Sequence, residues 1–322
     1  MLQQINRILE RMMPFITPTS VVLGVLFSSI LQDYTFLVPW LFAFMTFEGS
    51  LSMNFRAIKG AVLHPLPVII LLLFLHIVMP FWAWSVGHIV FSDDIFTITG
   101  LILGMVIPTA ITSFIWTAMK QGNTALSLAL ILIDSLLSPF IVPLSLSNFV
   151  GKNIEMDISS MISGLFFMIV LPSIFGMVLN QMTNGKMSTV WKPRLAPISK
   201  LFLGLVVMLN SSEVAPYFKN IDLKLIIIIC TAFFIAMSGY FFAYLISRLL
   251  KYDHETITAF TFLGGMRNIS AGAVIALSYF PSAVVLPVVV GMLFQQILAS
   301  LYATFLDKVF SHHHRKVKSV QV

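Results

Sequence analysis

Apolar residues fall in long runs broken by short polar stretches, and the runs predict helices over residues 16–32, 35–53, 62–86, 96–119, 122–148, 158–181, 196–212, 223–249, 256–278 and 282–306. A helix needs roughly 20 apolar residues to cross hydrocarbon. Inside lipid every backbone polar group must find a partner within its own segment. The pattern therefore reads as an all-α polytopic membrane protein of about ten spanning helices. The first and seventh runs are short and the eighth is long, differences that helix tilt accommodates.

Composition agrees. Of the 322 residues, 58% are apolar and 10% charged, with a mean hydropathy of +0.95; soluble domains carry about 25% charged residues. The one cysteine, Cys230, lies in the apolar run LIIIICTAFF. A single thiol excludes an internal disulfide and a thiolate metal cluster, so packing is its reading. The opening MLQQINRILERMMPFITPTSVVLGVLFSSI sets Arg7 and Arg11 before the first run with no small-x-small cleavage pattern after it. It reads as an uncleaved first helix.

Charge gives the chain an orientation, because short cytoplasmic loops collect Lys and Arg. With ten helices and both termini in the cytoplasm, 15 of the 19 basic residues fall inside: Arg7, Arg11, Arg56, Lys59, Lys120, Lys186, Lys192, Arg194, Lys200, Arg248, Lys251, Lys308, Arg315, Lys316 and Lys318. Lys152, Lys219 and Lys224 fall outside, and Arg267 falls within the ninth span. Acidic residues lean outward, with Asp33, Asp93, Asp94, Glu155, Asp157, Glu213 and Asp222 there. The implied location is the plasma (cytoplasmic) membrane. The net charge of +6 calls for no nucleic acid; the tail His312 to Lys318 reads as an anchor beside anionic lipid.

Two segments interrupt the apolar pattern in mid-membrane. The fourth helix reads GMVIPTAITSFIWTAMKQGN, with Pro108 followed by Thr109, Thr112 and Ser113; the ninth reads TFLGGMRNISAGAVIAL, with Gly264 and Gly265 before Arg267, Asn268 and Ser270. Proline removes a backbone donor and clashes with the carbonyl four residues back. Such breaks are tolerated at membrane depth where the backbone is buried in protein or lines a wet cavity. They occupy matching places in two sets of five helices, 1–150 and 151–308, followed by a basic tail at 309–322. An odd number of spans per half inverts the second against the first, the pattern of secondary transporters.

Three ionisable residues lie deep in spans: Glu48, Asp134 and Arg267. On translocon scales Arg or Asp at a helix centre costs about 2.5–3.5 kcal/mol unless paired or hydrated. Asp134 shares a face of the fifth helix with Ser127 and Ile131, at i, i+4 and i+7. It is expected to pair with Arg267, either as a lock on the bundle or as part of a site. Glu48 reads as interfacial, and His76 in LLFLHIVMP as a hydrogen-bonded core histidine.

At these residues the chain resembles the bile acid:sodium symporter family. The matching stretches are AFMTFEGSLSM, LHIVMPFWAW, PTAITSFIWTAMKQGNTALSLALILIDSLLSPFIVP and GGMRNISAGAVIAL. The resemblance implies inverted five-helix repeats, a panel and a core domain, and two crossing broken helices flanking the substrate site. It also marks departures. Where sodium-binding members carry a Ser-Asn pair, this chain has Ser113-Phe114; where they place Ser and Thr one turn apart, it has Ser127 and Ile131. Their Glu-x-Gly-Met-Gln-Asn becomes Leu263-Gly264-Gly265-Met266-Arg267-Asn268, and a third-helix Gln aligns with Leu75. A guanidinium stays protonated at any biological pH, so Arg267 reads as a built-in substitute for a mobile cation.

The expectation is a secondary transporter of a small organic anion, coupled to protons, exchanging or uniporting rather than using sodium in the standard way. Its candidate site residues are Thr112, Ser113, Asn123, Ser127, Asp134, Arg267 and Asn268, with no metal or cofactor. A receptor or scaffold that keeps the fold without moving substrate is the second reading. No HExxH, GxSxG or Walker motif suggests an enzyme. Topology reporters fused at Asp94 and Asp222 are expected to lie outside, and those at Lys120 and Lys251 in the cytoplasm. The reverse pattern overturns the orientation.

Overall fold

The computed structural model describes residues 2–53, 65–151, 154, 156–219 and 222–320, without the side chains of 2–5, 7, 8, 10, 11, 13, 14, 219 and 311–320. Arg56, Lys59, Lys152 and Glu155 therefore lie outside the described residues, as do the side chains of Arg7, Arg11, Lys219 and the His312 to Lys318 tail. The described chain is helical apart from short connections: α1 (Leu2–Leu26), α2 (Ser28–Ser50), α3 (Pro65–Phe91), α4a (Ile95–Val106), α4b (Thr112–Met119), α5 (Thr124–Val150), α6 (Ile158–Met182), α7 (Met187–Glu213), α8 (Leu223–Leu249), α9a (His254–Gly265), α9b (Ile269–Tyr279) and α10 (Ser282–Val320). Seven of these are long and apolar enough to cross a membrane, and α1 contributes a shorter apolar stretch, Phe15–Leu26. The fourth and ninth helices are each split in two. This is a multi-pass, all-α membrane protein, with α1 and α7 longer than their apolar runs suggested.

Half of the helix starts are written locally by a capping side chain. An N-cap side chain that accepts from a backbone N–H two or three residues on satisfies a donor the helix leaves open. Asp94, Asn123, Asp157, Asp222, Asp253 and Asn268 cap α4a, α5, α6, α8, α9a and α9b in this way. Prolines shape the interiors. Pro80 would clash with the carbonyl of His76 four residues back, and Phe74–Val78 opens into one π-helical turn. Pro172 has the same effect at Phe166–Val170 of α6.

Two groups of helices emerge from the packing. α1 lies along α7, and α2 packs on both α6 and α7. The second group holds α3 against α4a, α10 against α4a, α8 and α9b, and α8 against α9a. Large apolar side chains such as Trp40, Phe81, Ile89, Phe140, Phe167 and Leu201 stay exposed on the outside, where lipid rather than water is the compatible solvent.

Charged residues assigned to one membrane side meet at one end of the bundle. Lys224 Nζ lies 2.7 Å from Asp94 Oδ2, and at the opposite end Lys120 pairs with Asp307. Burial pushes the Asp94 carboxyl up, but the bonds from Lys224 and Thr97 outweigh it and hold it below the usual carboxylate range. Glu48, expected at the interface, sits two residues from the end of α2, buried within reach of the Lys192 charge. Lys192 in turn donates to Ser52 Oγ at 2.6 Å.

Gly265 is required by a close approach. A Cβ there would sit 2.2 Å from the ring of Tyr240, which is fully buried, stacked on Tyr302 at 4.8 Å, and tied by its hydroxyl to the Gln295 carbonyl at 3.1 Å. The ring has nowhere to move. Gly265→Ala is expected to cost about 1–3 kcal/mol by overpacking, read as a lower unfolding midpoint in detergent. Gly104→Ala is the control: a Cβ there meets nothing within 4 Å, so helix propensity should stabilise it by about 0.5–1 kcal/mol.

Candidate functional site

The two broken helices complete each other. Ile107 precedes a proline, which disfavours helical backbone, and it is extended at φ −59 and ψ 150. Met266, after the Gly264-Gly265 pair, is extended at φ −99 and ψ 115. The two extended stretches run antiparallel and pair at Thr109 and Arg267. Ala110 N–H donates to the Met266 carbonyl at 3.2 Å and Asn268 N–H to the Pro108 carbonyl at 2.8 Å. Backbone groups freed from helical bonding inside a membrane thus find one another, as burial requires. Thr109 Oγ1 adds a bond to the Leu263 carbonyl at 3.3 Å, and Gln295 Nε2 one to the Arg267 carbonyl at 2.8 Å.

Asp134 reaches this crossing from α5. It is fully buried, and its Oδ2 accepts from the Thr109 N–H at 2.7 Å. Its Oδ1 lies 2.6 Å from His76 Nε2. The expected pairing of Asp134 with Arg267 is therefore corrected: the carboxylate's two oxygens go to His76 and to the fourth-helix backbone. No ion pair within 4.0 Å joins Asp134 to Arg267 among the described residues, although each lies within reach of the other's charge. His76 is the bonded core histidine the sequence suggested, with a partner no spacing rule indicated.

Arg267 is 1% exposed. Its Nη2 donates to the Leu75 carbonyl at 3.4 Å, while Nε and Nη1 have no hydrogen-bond partner among the described residues. The Leu75 carbonyl is open because of Pro80. In a regular helix it would receive the Met79 N–H, but that group bonds to Phe74 in the widened turn. The widened register would offer it residue 80, whose nitrogen carries no hydrogen. A carbonyl orphaned by proline thus meets the guanidinium.

The other sequence candidates divide. Asn268 is at the crossing and caps α9b through Ala271 N–H at 3.2 Å. Thr112 and Ser113 open α4b; Ser113 Oγ is spent on the Ala110 carbonyl at 2.6 Å, whereas Thr112 Oγ1 is buried without a partner among the described residues. Asn123 and Ser127 stand apart at the head of α5. Asn123 caps that helix and its N–H donates to the Glu255 carbonyl at 2.9 Å, and Ser127 Oγ returns to the Asn123 carbonyl at 3.1 Å. Seven residues of helix, about 10 Å, separate Ser127 from Asp134. The sequence candidates did not include Thr109 or Leu75, noted there only as the residue after Pro108 and as the counterpart of a third-helix Gln, and Gln295 was not named. Gln295 had a signal, since Gln295-Gln296 is a polar pair in the apolar run of α10. Leu75 was marked only by resemblance, since its side chain carries no signal and it acts through its carbonyl.

With this geometry in place, known proteins are informative. The model of the Sodium Bile acid symporter family matches residues 38–221. A Bacillus subtilis (strain 168) protein, YbaS, is 54% identical over 92% of this chain and 97% of its own. The Bacillus subtilis sodium-dependent transporter YocS is 23% identical over 89% of this chain and 88% of its own. A chloroplastic probable sodium/metabolite cotransporter, BASS1 of Oryza sativa subsp. japonica, is 24% identical over 72% of this chain and 56% of its own.

Asp134→Ala would leave the Thr109 N–H and the His76 imidazole buried without their acceptor. Breaking one side of such a buried charged network costs about 3–5 kcal/mol. A marked fall in the unfolding midpoint in detergent is expected. Asp134→Asn keeps a carbonyl acceptor for Thr109 and should lose less than half as much.

Proposed function

The chain belongs to the sodium bile acid symporter family, and we propose that it is a secondary transporter that moves a small organic anion across the cytoplasmic membrane by alternating access, without standard sodium coupling. In this reading residues 1–150 and 151–308 are inverted repeats, both termini and the 309–322 tail are cytoplasmic, and α1, α2, α6 and α7 rock against the remaining helices. YocS and BASS1, named as a sodium-dependent transporter and a sodium/metabolite cotransporter, support transport of a metabolite.

The observation that carries the anion reading is Arg267. A permanently charged group, 1% exposed, sits at the crossing with two nitrogens unpartnered among the described residues. A buried cation without a close counter-charge is costly. An anion reaching the crossing would relieve that cost through charge-assisted, geometrically specific bonds. Thr112 and Asn268 flank the same segment, where the N-termini of α4b and α9b offer partial positive charge to an anion. Sodium coordination is disfavoured on chemical grounds: a hard cation wants several oxygen ligands, whereas Phe114, Ile131, Leu263 and Leu75 offer no side-chain oxygen and Arg267 repels a second cation.

Uptake of a panel of labelled small carboxylates and sulfonates into vesicles holding the full chain tests this. Flux should persist when sodium is replaced by choline, and Arg267→Ala should lower it at least about tenfold, the worth of one charge-assisted bond. Strict sodium dependence would overturn the role given to Arg267. Binding of these anions without flux would favour a receptor.

A further inference from the structure

Beside the crossing lies a second ionisable group with one open position. Asp134 Oδ2 accepts from the Thr109 N–H and its Oδ1 lies 2.6 Å from His76 Nε2; with Asp134 as a carboxylate, Nε2 is the ring nitrogen that carries hydrogen. The other ring nitrogen, Nδ1, is buried and has no partner among the described residues. A neutral imidazole in that tautomer presents a lone pair at Nδ1. Few side chains change charge as readily near neutral pH.

We propose that His76 is the proton-binding site of this transporter: a proton adds to Nδ1, no other bond forms or breaks, and the resulting imidazolium is held by Asp134 until the proton leaves from Nδ1 to the other side. The proposal rests on the transport reading and names its coupling ion. Charge counting gives the coupling its sign. In the formal count Asp134 offsets Arg267 at a distance, without touching it, while His76 is neutral, and a proton on His76 adds one positive charge to the buried cluster. That excess is costly in a low dielectric unless a monoanion joins it. Proton and anion therefore each favour the other's binding, reciprocally, and the loaded transporter carries no net charge beyond that of the empty one.

Titratable groups around His76 are few among the described residues, and on α8 they include the buried Tyr240. Facing His76 are Asp134 from α5 and, through its charge, Arg267 from the α9 crossing. α4a contributes no charged residue, and α8 and α9a carry theirs only near their ends, at Lys224, Arg248, His254 and Glu255. The widened turn that Pro80 imposes on Phe74–Val78 carries both His76 and the Leu75 carbonyl that Arg267 meets. Movement at that turn would change both contacts at once.

The decisive measurement uses the full chain in lipid nanodiscs with nitrogen-labelled histidine, the His76 signals identified by their loss in His76→Gln. On acidification the His76 ring should pass from one N–H to two. A single N–H throughout in the wild-type protein overturns the proposal. In Asp134→Asn the imidazolium loses its counter-charge, so the second N–H should no longer form; its formation as in wild type would show that the pair is not the unit. Vesicles in sodium-free medium, with ethanesulfonate as a probe that carries no proton itself, complete the test. An inward proton gradient should stimulate uptake several-fold in wild type and not in His76→Gln. Uptake indifferent to the gradient in wild type removes the proton site and leaves anion transport standing. Titration of His76 without flux of any anion removes the transport reading instead.

Discussion

The constraint on which the rest depends is that two interrupted helices must satisfy their backbone groups without water. Pro108 and the Gly264-Gly265 pair each end a helix inside the apolar layer. Each break leaves N–H and C=O groups that hydrocarbon cannot serve. The antiparallel pairing of Thr109 with Arg267, closed by the Ala110 and Asn268 bonds, lets each interruption answer the other. Neither break is tenable alone. The partner segments are 158 positions apart in the chain, so their pairing holds α4 and α9, and through them α3, α5, α8 and α10, as one body.

That crossing also explains where the charges sit. Arg267 is delivered to the membrane interior by the same extended backbone that pairs with Thr109, and Asp134 is drawn in by the Thr109 N–H. Two prolines on different helices act on one place. Pro108 exposes the backbone that Asp134 binds, and Pro80 opens the turn that carries His76 toward Asp134 and frees the Leu75 carbonyl for Arg267. Packing forces the exceptions to be specific: Tyr240 fills the space over Gly265, so the break cannot be rebuilt with a larger residue. In the transport reading proposed above, such a site is rigid in its backbone and variable in its protonation and occupancy. Those are the properties that let a small solute or a proton bias a larger rearrangement between two packed groups of helices.

Much of the architecture was legible from residues alone. Runs such as those of α5 and α8 are too long and too apolar for any other solvent, and the Asx residues that begin α4a, α5, α6, α8, α9a and α9b act within three residues of themselves. The breaks were legible for the same reason: a proline or a glycine pair alters its own backbone. Asp134 and Arg267 stood out because burial of a charge is costly wherever it occurs. Ser127 was set on the face of Asp134 by helical spacing, which gives a face and not a depth; it lies about two turns from Asp134, beside Asn123, which caps the start of α5.

What the sequence determined by itself, then, was local: which segments are helical, where they start and stop, where the backbone is interrupted, and which side chains must find partners. Which partner each one finds was decided by tertiary structure. His76, carried on the proline-widened turn of α3, rather than Arg267 bonds to Asp134. The physical reason is that a charge or an open carbonyl announces only its need, whereas satisfying it depends on distances and angles between elements distant in the chain, and packing alone sets those.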